Sequence, residues 1–367
     1  MNIFCPSGHL LLDAEVCPKC GWRRPPDGEI GKPVWQPVDL RSGFGGEGPD
    51  QVGALVCAEE TLIAALRSNE LAGISLKNGS QSWRDALPVG QQVVNLVVDG
   101  DRVILVLRDG RSMMDGCENG SLQILDSKTG KMRLFWQAPG HDLTVPIFTE
   151  ERILIRTTES AVYALDQKEP GQIFWRKPVD TWWAKDMLLY NDLLVLGDGR
   201  AMLGDGVLRA LHVTDGKEMW HCKLCGGLPG KQMTQDGQYI YVVDGKKDLL
   251  IIDGDTGEIA NKESYIRIYS PACVGGEFVY MVVCGNKDTH AEDHYLLLAM
   301  NRGSGEVVWQ APLPERVTLM PLHSRGSVVL GGAKGTMFAF QAENGRPIWK
   351  YPLGNEADSL HTQLLEC

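Results

Sequence analysis

The sequence predicts an all-β chain whose body is a seven-bladed β-propeller of four-stranded antiparallel blades. Three observations carry that expectation. First, one phrase recurs along the chain: an apolar strand, a turn of Asp, Asn or Ser closed by Gly, then a strand ending in Trp. It is plainest in Leu296–Leu313 (LLLAMNRGSGEVVWQAPL). Second, the turns recur roughly every 45 residues, the length of one four-stranded propeller blade. Third, short runs of Val, Ile, Leu and Tyr bounded by Gly, Asp and Asn fill the chain, and no window sustains a 3.6-residue apolar period.

In chain order, residues 1–26 read as a separate small module. Cys17-Pro-Lys-Cys20-Gly21 is a knuckle turn, and Cys5-Pro-Ser-Gly-His9 offers a second pair at C-x3-H spacing. Cys5, His9, Cys17 and Cys20 make a tetrahedral Cys3His set, the closed composition of a structural zinc site holding one Zn2+ per chain. The module resembles the zinc ribbons that precede many bacterial domains. So short a segment has no core of its own, so the metal would supply most of its folding energy. Trp22-Arg23-Arg24 beside it could stack on a base or a phosphate, which makes nucleic-acid contact an alternative use of the ribbon. Residues 27–51 form a Pro/Gly linker with a closing strand at 33–40, and 52–367 is the propeller.

The blades follow from about residue 52. The docking phrase appears as KNGSQSW at 77–83, DSKTGKMRLFW at 126–136, DQKEPGQIFW at 166–175, HVTDGKEMW at 212–220 and QAENGRPIW at 341–349. DGDTGEIAN at 253–261 keeps the turn but places Asn261 where Trp is expected, and GKPVW at 31–35 is a lone half-copy. The turn glycines are Gly31, Gly79, Gly130, Gly171, Gly216, Gly257, Gly305 and Gly345. Asp, Asn or Ser can hydrogen-bond the next backbone groups, and Gly takes positive φ without steric cost. A buried Trp removes about 150–250 Å² from water and needs a partner for its N–H, which suits a wedge between neighbouring sheets. Trp83, Trp136, Trp175, Trp220, Trp309 and Trp349 are therefore expected at equivalent positions between blades. Eight blades are the alternative, with 31–35 and 360–367 supplying an incomplete eighth.

This repeat resembles the tryptophan-docking motif (Ala-x-Asp-x-x-x-Gly-x-x-x-Trp) of the PQQ-like β-propeller superfamily over residues 35–353. That group includes quinoprotein alcohol dehydrogenases and the propeller lipoprotein of the outer-membrane barrel-assembly machinery. The fold it implies is specific, but the function is not, because one fold hosts many activities. A PQQ-dependent dehydrogenase of this group would have a long exported chain, a calcium site and an adjacent cysteine pair. This chain has no adjacent cysteines and about half that length. Enzyme or small-ligand-binding propeller is the alternative function. The expected function is a non-enzymatic adaptor, with no catalytic residues and no cofactor beyond zinc.

Composition narrows the partners. The net charge is −11, which disfavours nucleic acid and anionic membrane. No apolar run reaches the 18 residues of a membrane-spanning helix. MNIFCPSGH lacks the basic region and apolar core of a signal peptide, so a cytoplasmic bacterial protein with reduced cysteines is expected. Cytoplasmic PQQ-like propellers with such appendages resemble subunits of multi-protein systems built around MoxR-type ATPases, which implies partners of that kind and no membrane.

Loops joining the second and third strands of a blade leave on one face, and three are long: 108–121, 197–207 and 284–295. Long loops on a rigid scaffold are where function concentrates. Arg111, Met113, Met114, Asp115, Arg200, Met202, Asp288, His290 and His294 are the candidate partner-binding residues. Met gives adaptable apolar contact, and charge gives specificity. Cys222-Lys-Leu-Cys225 is a second C-x2-C, and the 284–295 loop with its two histidines is a further metal candidate. Cys57, Cys273 and Cys284 read as small buried hydrophobes.

Overall fold

The computed structural model describes residues 3–4, 10–11 and, with short interruptions, 52–352. The longer interruptions are 110–118, 180–186, 199–205, 226–232 and 285–294. The expected ribbon, linker and closing strand lie outside the described residues, apart from one pairing in which Ile3 faces Leu11 and Phe4 faces Leu10.

Seven antiparallel sheets follow, each laid down in chain order from first strand to fourth. Blade 1 uses Val52–Ala58, Thr61–Leu66, Glu70–Ser75 and Gln81–Ala86. Blade 2 uses Gln91–Asp99, Arg102–Asp109, Asn119–Asp126 and Met132–Pro139. Blade 3 uses Ile147–Phe148, Arg152–Thr157, Ala161–Asp166 and Ile173–Pro178. Blade 4 uses Met187–Tyr190, Leu193–Asp198, Val207–His212 and Glu218–Lys223. Blade 5 uses Thr234–Gln235, Tyr239–Asp244, Asp248–Asp253 and Ile259–Ser264. Blade 6 splits its first strand into Arg267–Ile268 and Cys273–Gly275, then continues with Phe278–Cys284, Tyr295–Asn301 and Val307–Leu313. Blade 7 uses Leu322–Ser324, Ser327–Gly331, Thr336–Gln341 and Pro347–Pro352. Seven sheets match the expected blade count, and the segments weighed for an eighth blade lie outside the described residues.

The first strands of blades 5 and 6, at 234–235 and within 267–275, carry no strand signal in the sequence. Segments of two or three residues are too short to show an alternating pattern. Second and third strands are apolar on both faces because each is sandwiched between two neighbouring sheets: Arg152–Thr157 is buried in all but its first residue. Fourth strands carry a wet face, as in Ile173–Pro178. Each junction from blade 1 to blade 7 shares one apolar cluster. Val242 and Leu250 of blade 5 join Val195 and Leu208 of blade 4, for instance, and the other five junctions repeat the scheme.

The docking phrase does what its residues dictate. Trp83, Trp175, Trp220, Trp309 and Trp349 sit opposite Gly73, Ala164, Ala210, Ala299 and Ala339 on the third strand. A small partner is required there, since a Cβ on Gly73 would meet the Trp83 indole at 2.1 Å. A bulge beside each pair then turns the indole toward the next blade. Trp83 donates its N–H to the Ser127 carbonyl of blade 2 (2.8 Å), Trp175 to Val213 of blade 4 (2.8 Å), Trp220 to Gly254 of blade 5 (3.0 Å) and Trp309 to Ala342 of blade 7 (3.1 Å). The ring lies on the next turn glycine: a Cβ on Gly257, which has φ of 75°, would stand 2.5 Å from Trp220. Gly171 departs from the pattern. It lacks the positive φ of the other described turn glycines, its turn carries an extra residue, and Trp136 packs on Tyr163 instead, with ring centroids 5.7 Å apart.

Candidate functional site

Strand register places the three long loops. In blade 2 the second and third strands end at Arg108 paired with Gly120. In blade 4 they end at Asp198 paired with Val207, and in blade 6 at Cys284 paired with Tyr295. All three connections join a second strand to a third, so all three leave the same edge of the ring, from alternate blades. The named candidates Arg111, Met113, Met114, Asp115, Arg200, Met202, Asp288, His290 and His294 lie in the loops themselves, outside the described residues.

The root of the 197–207 loop is held by buried polar groups that the sequence did not single out. Arg156, at the loop end of blade 3, is 2% exposed and donates Nη1 to the Gly197 carbonyl of blade 4 at 2.9 Å. Burial lowers its pKa to about 10 against the opposing pull of Asp198, so it stays charged at neutral pH. Asp198, itself buried, accepts from Arg209, which also pairs with Glu218. Burial would raise the Glu218 pKa, but its bonds from Arg209 and from His221 (3.0 Å) outweigh that and hold it below the ordinary value. In blade 5, buried Asp244 accepts the Cys225 backbone N–H at 2.8 Å. Such groups are costly to bury unless paired, and once paired they fix one geometry. They left no sequence signal because a single Arg or Asp ending an apolar strand looks like the start of a solvated loop.

Metal chemistry gains no support from this part of the chain. Among the described residues no group of three or more His, Cys, Asp or Glu is placed to hold a metal ion. That corrects the metal-binding expectation as far as the described residues reach; Cys5, His9, Cys17, Cys20 and the 285–294 segment fall outside them. Cys222 is buried on a fourth strand, and burial, Asp244 and Cys225 all push its thiol pKa up, so it offers no activated thiolate. Cys273 and Cys284 are buried as expected, but Cys57 is exposed, because its position on the first strand of blade 1 faces away from the core. No helix among the described residues is long and apolar enough to cross a membrane.

Comparison with known proteins places this architecture. A region of 191 residues, 49% of this chain and 49% of the relative, is 25% identical to the outer membrane protein assembly factor BamB of Alkalilimnicola ehrlichii. The chain thus spans about half the length of that relative. Among solved structures, BamB from Moraxella catarrhalis superposes with a TM-score of 0.60 at 17% identity, over 82% of this chain and 85% of that one. Quinohemoprotein alcohol dehydrogenase from Comamonas testosteroni reaches 0.60 at 13% identity, over 82% and 67%. At those identities the two superpositions establish the propeller fold alone. Residues 118–267 and 269–365 match the sequence family described as outer membrane protein assembly factor BamB. Family and relative are both named for outer membrane assembly, which overturns the expectations of a cytoplasmic setting, of MoxR-type partners and of no membrane connection. The charge argument failed because net charge reports long-range repulsion, not which assembly a surface joins. With well over half its residues matched, this chain belongs to the family of the outer membrane protein assembly factor BamB.

Proposed function

We propose that this chain is a non-enzymatic interaction scaffold in the assembly of outer membrane proteins, binding a protein partner through the ring edge that bears the loops at 108–121, 197–207 and 284–295. The observation that carries the reading is the match of residues 118–365, almost without a break, to an assembly-factor family. The geometry supports it: three long loops leave one edge of a rigid ring, and buried polar groups lock the 197–207 root. Arg111, Met113, Met114, Asp115, Arg200, Met202, Asp288, His290 and His294 supply the contacts, apolar ones for affinity and charged ones for specificity. Shortening the three loops to Gly-containing turns should leave the thermal transition in place and abolish copurification of the partner from the native host. Copurification at wild-type yield would move the interface to the blade flanks.

A structural zinc on Cys5, His9, Cys17 and Cys20 forms the second part of the proposal. The antiparallel pairing of Phe4 with Leu10 supports it, because it brings together the chain on either side of residues 5–9. Elemental analysis should find one zinc per chain, lost in the Cys17→Ser, Cys20→Ser double variant. Undiminished zinc in that variant would refute the assignment.

A further inference from the structure

The loop edge of blade 6 carries a cross-strand row that runs Arg267, Cys284, Tyr295, Leu313 from first strand to fourth. Beyond Leu313 the chain crosses to blade 7 through Arg316, and Val317 then bridges Gly332. Tyr269 sits where the two blades meet. Its backbone N–H donates to Val282 at 2.8 Å, and its ring meets Tyr295 edge-on with centroids 5.2 Å apart. The guanidinium carbon of Arg267 lies 5.2 Å from the Tyr269 centroid and that of Arg316 lies 5.3 Å from it. Two cations from two blades therefore share one aromatic ring.

That arrangement is unusual for this chain. Acids outnumber Lys and Arg by 47 to 36, and Arg84, Arg133 and Arg209 are each paired with carboxylates. Among the described residues no carboxylate pairs with Arg267 or Arg316, and both side chains are exposed. The ring quadrupole attracts each cation but does not neutralise either, so their mutual repulsion stands. Stacking on the ring also holds each planar guanidinium while leaving N–H donors free for a bidentate acceptor. A partner bringing carboxylates relieves the repulsion and fills the donors in one step.

The geometry points to a binding site for an acidic, extended peptide segment, its carboxylates held by Arg267 and Arg316 across Tyr269 at the junction of blades 6 and 7. A strand places same-side carboxylates about 7 Å apart, within the span open to two guanidiniums that lie 5.2 and 5.3 Å from one ring centre. The half-buried ring of Tyr295 beside the pair accepts the aliphatic stems of those carboxylates. A protein segment is favoured over a membrane or nucleic acid because the net charge of −11 repels extended anionic surfaces. The assignment names the partner chemistry of the interface proposed above and rests on that reading.

The test uses the full chain and a short synthetic peptide of alternating Glu and Thr, labelled with a fluorophore and followed by anisotropy at low and at physiological salt. Saturable binding is expected, weakened roughly tenfold or more in Arg267→Gln, Arg316→Gln, since each change removes a charge-assisted contact. The Lys, Lys variant should fall between, because it keeps the charge and loses the fork. The substituted side chains are exposed, so the thermal transition should be unmoved. Equal peptide affinity in the wild type and the Gln variant overturns the inference, as does the absence of saturable binding to the wild type. It is also overturned if inorganic phosphate or anionic phospholipid vesicles, and not the peptide, show the arginine dependence. The loop-trimmed protein, cut between Cys284 and Tyr295 so that both remain, separates the two readings, since it keeps both arginines and both tyrosines. Peptide binding there with partner capture lost supports both. Peptide binding with capture intact refutes only the loop interface, and partner capture that needs the loops while the peptide ignores the arginines refutes only this site.

Discussion

Trp220 and Trp349 hold the same place in the repeat and live in different surroundings. Each stands opposite an alanine beside a bulge, on the fourth strand of its blade. Trp220 is 7% exposed, donates to the Gly254 carbonyl and lies on Gly257 of the next blade. Trp349 is 43% exposed, and among the described residues its indole has no hydrogen-bond acceptor. The repeat sets where the side chain points, and the neighbouring turn decides whether that direction stabilises anything. Between them stands Asn261, opposite Ile251 where blades 1, 3, 4, 6 and 7 have Gly or Ala. Asn261 takes the indole's place and donates its amide to the Ser304 carbonyl of blade 6.

A thermal or urea series breaks or sharpens this comparison. Trp220→Ala should cost about 3–5 kcal/mol, through lost burial and the cavity left behind. Asn261→Ala should cost about 1 kcal/mol, the worth of one hydrogen bond with little burial. Trp349→Ala should cost less than about 1 kcal/mol, as exposed positions usually do. Equal costs for the two tryptophans would mean that the docking position is stabilised within the blade, and the wedge account would fail.

The sequence made the repeat legible because one turn chemistry and one large aromatic recur at fixed spacing. The strand pattern was legible for the middle strands, whose two buried faces give unbroken apolar runs such as residues 193–196. It failed for Thr234–Gln235 and Arg267–Ile268, which are too short to show any period. The loop edge could be read from strand order, but not the groups that fix it. Arg156 looks like any charged residue near a strand end until the fold sets Gly197 of the next blade against it. The same holds for Tyr269, which gains its two arginines only when blades 6 and 7 are neighbours. Compartment was read from the first residues and the cysteines, and neither bears on which assembly a propeller joins.

The smallest expected effect concerns the turn on which Trp83 is seated. Asp126 accepts the backbone N–H groups of Lys128 (3.1 Å) and Thr129 (2.8 Å) and the Thr129 hydroxyl (2.9 Å). Asp253 makes the same set of bonds with Asp255 and Thr256 under Trp220. The two turns differ in one respect: Arg133 also bonds Asp126, and bonds Asp101 at 2.6 Å. The Arg133 bond, with help from Thr129, lowers the Asp126 pKa from the ordinary 3.8 to about 2. A depressed carboxylate stabilises the fold above its unfolded pKa and loses that contribution as pH falls through the folded one. The window here runs from about 3.8 down to about 2. Because the group is close to solvent, the effect is small and screened by salt. Arg133→Gln should therefore melt slightly below the wild type at pH 6 in low salt, and the gap should close as the pH approaches 2. A gap of constant size down to that pH would show that Arg133 contributes by packing rather than by charge, and the seats of Trp83 and Trp220 would then be equivalent.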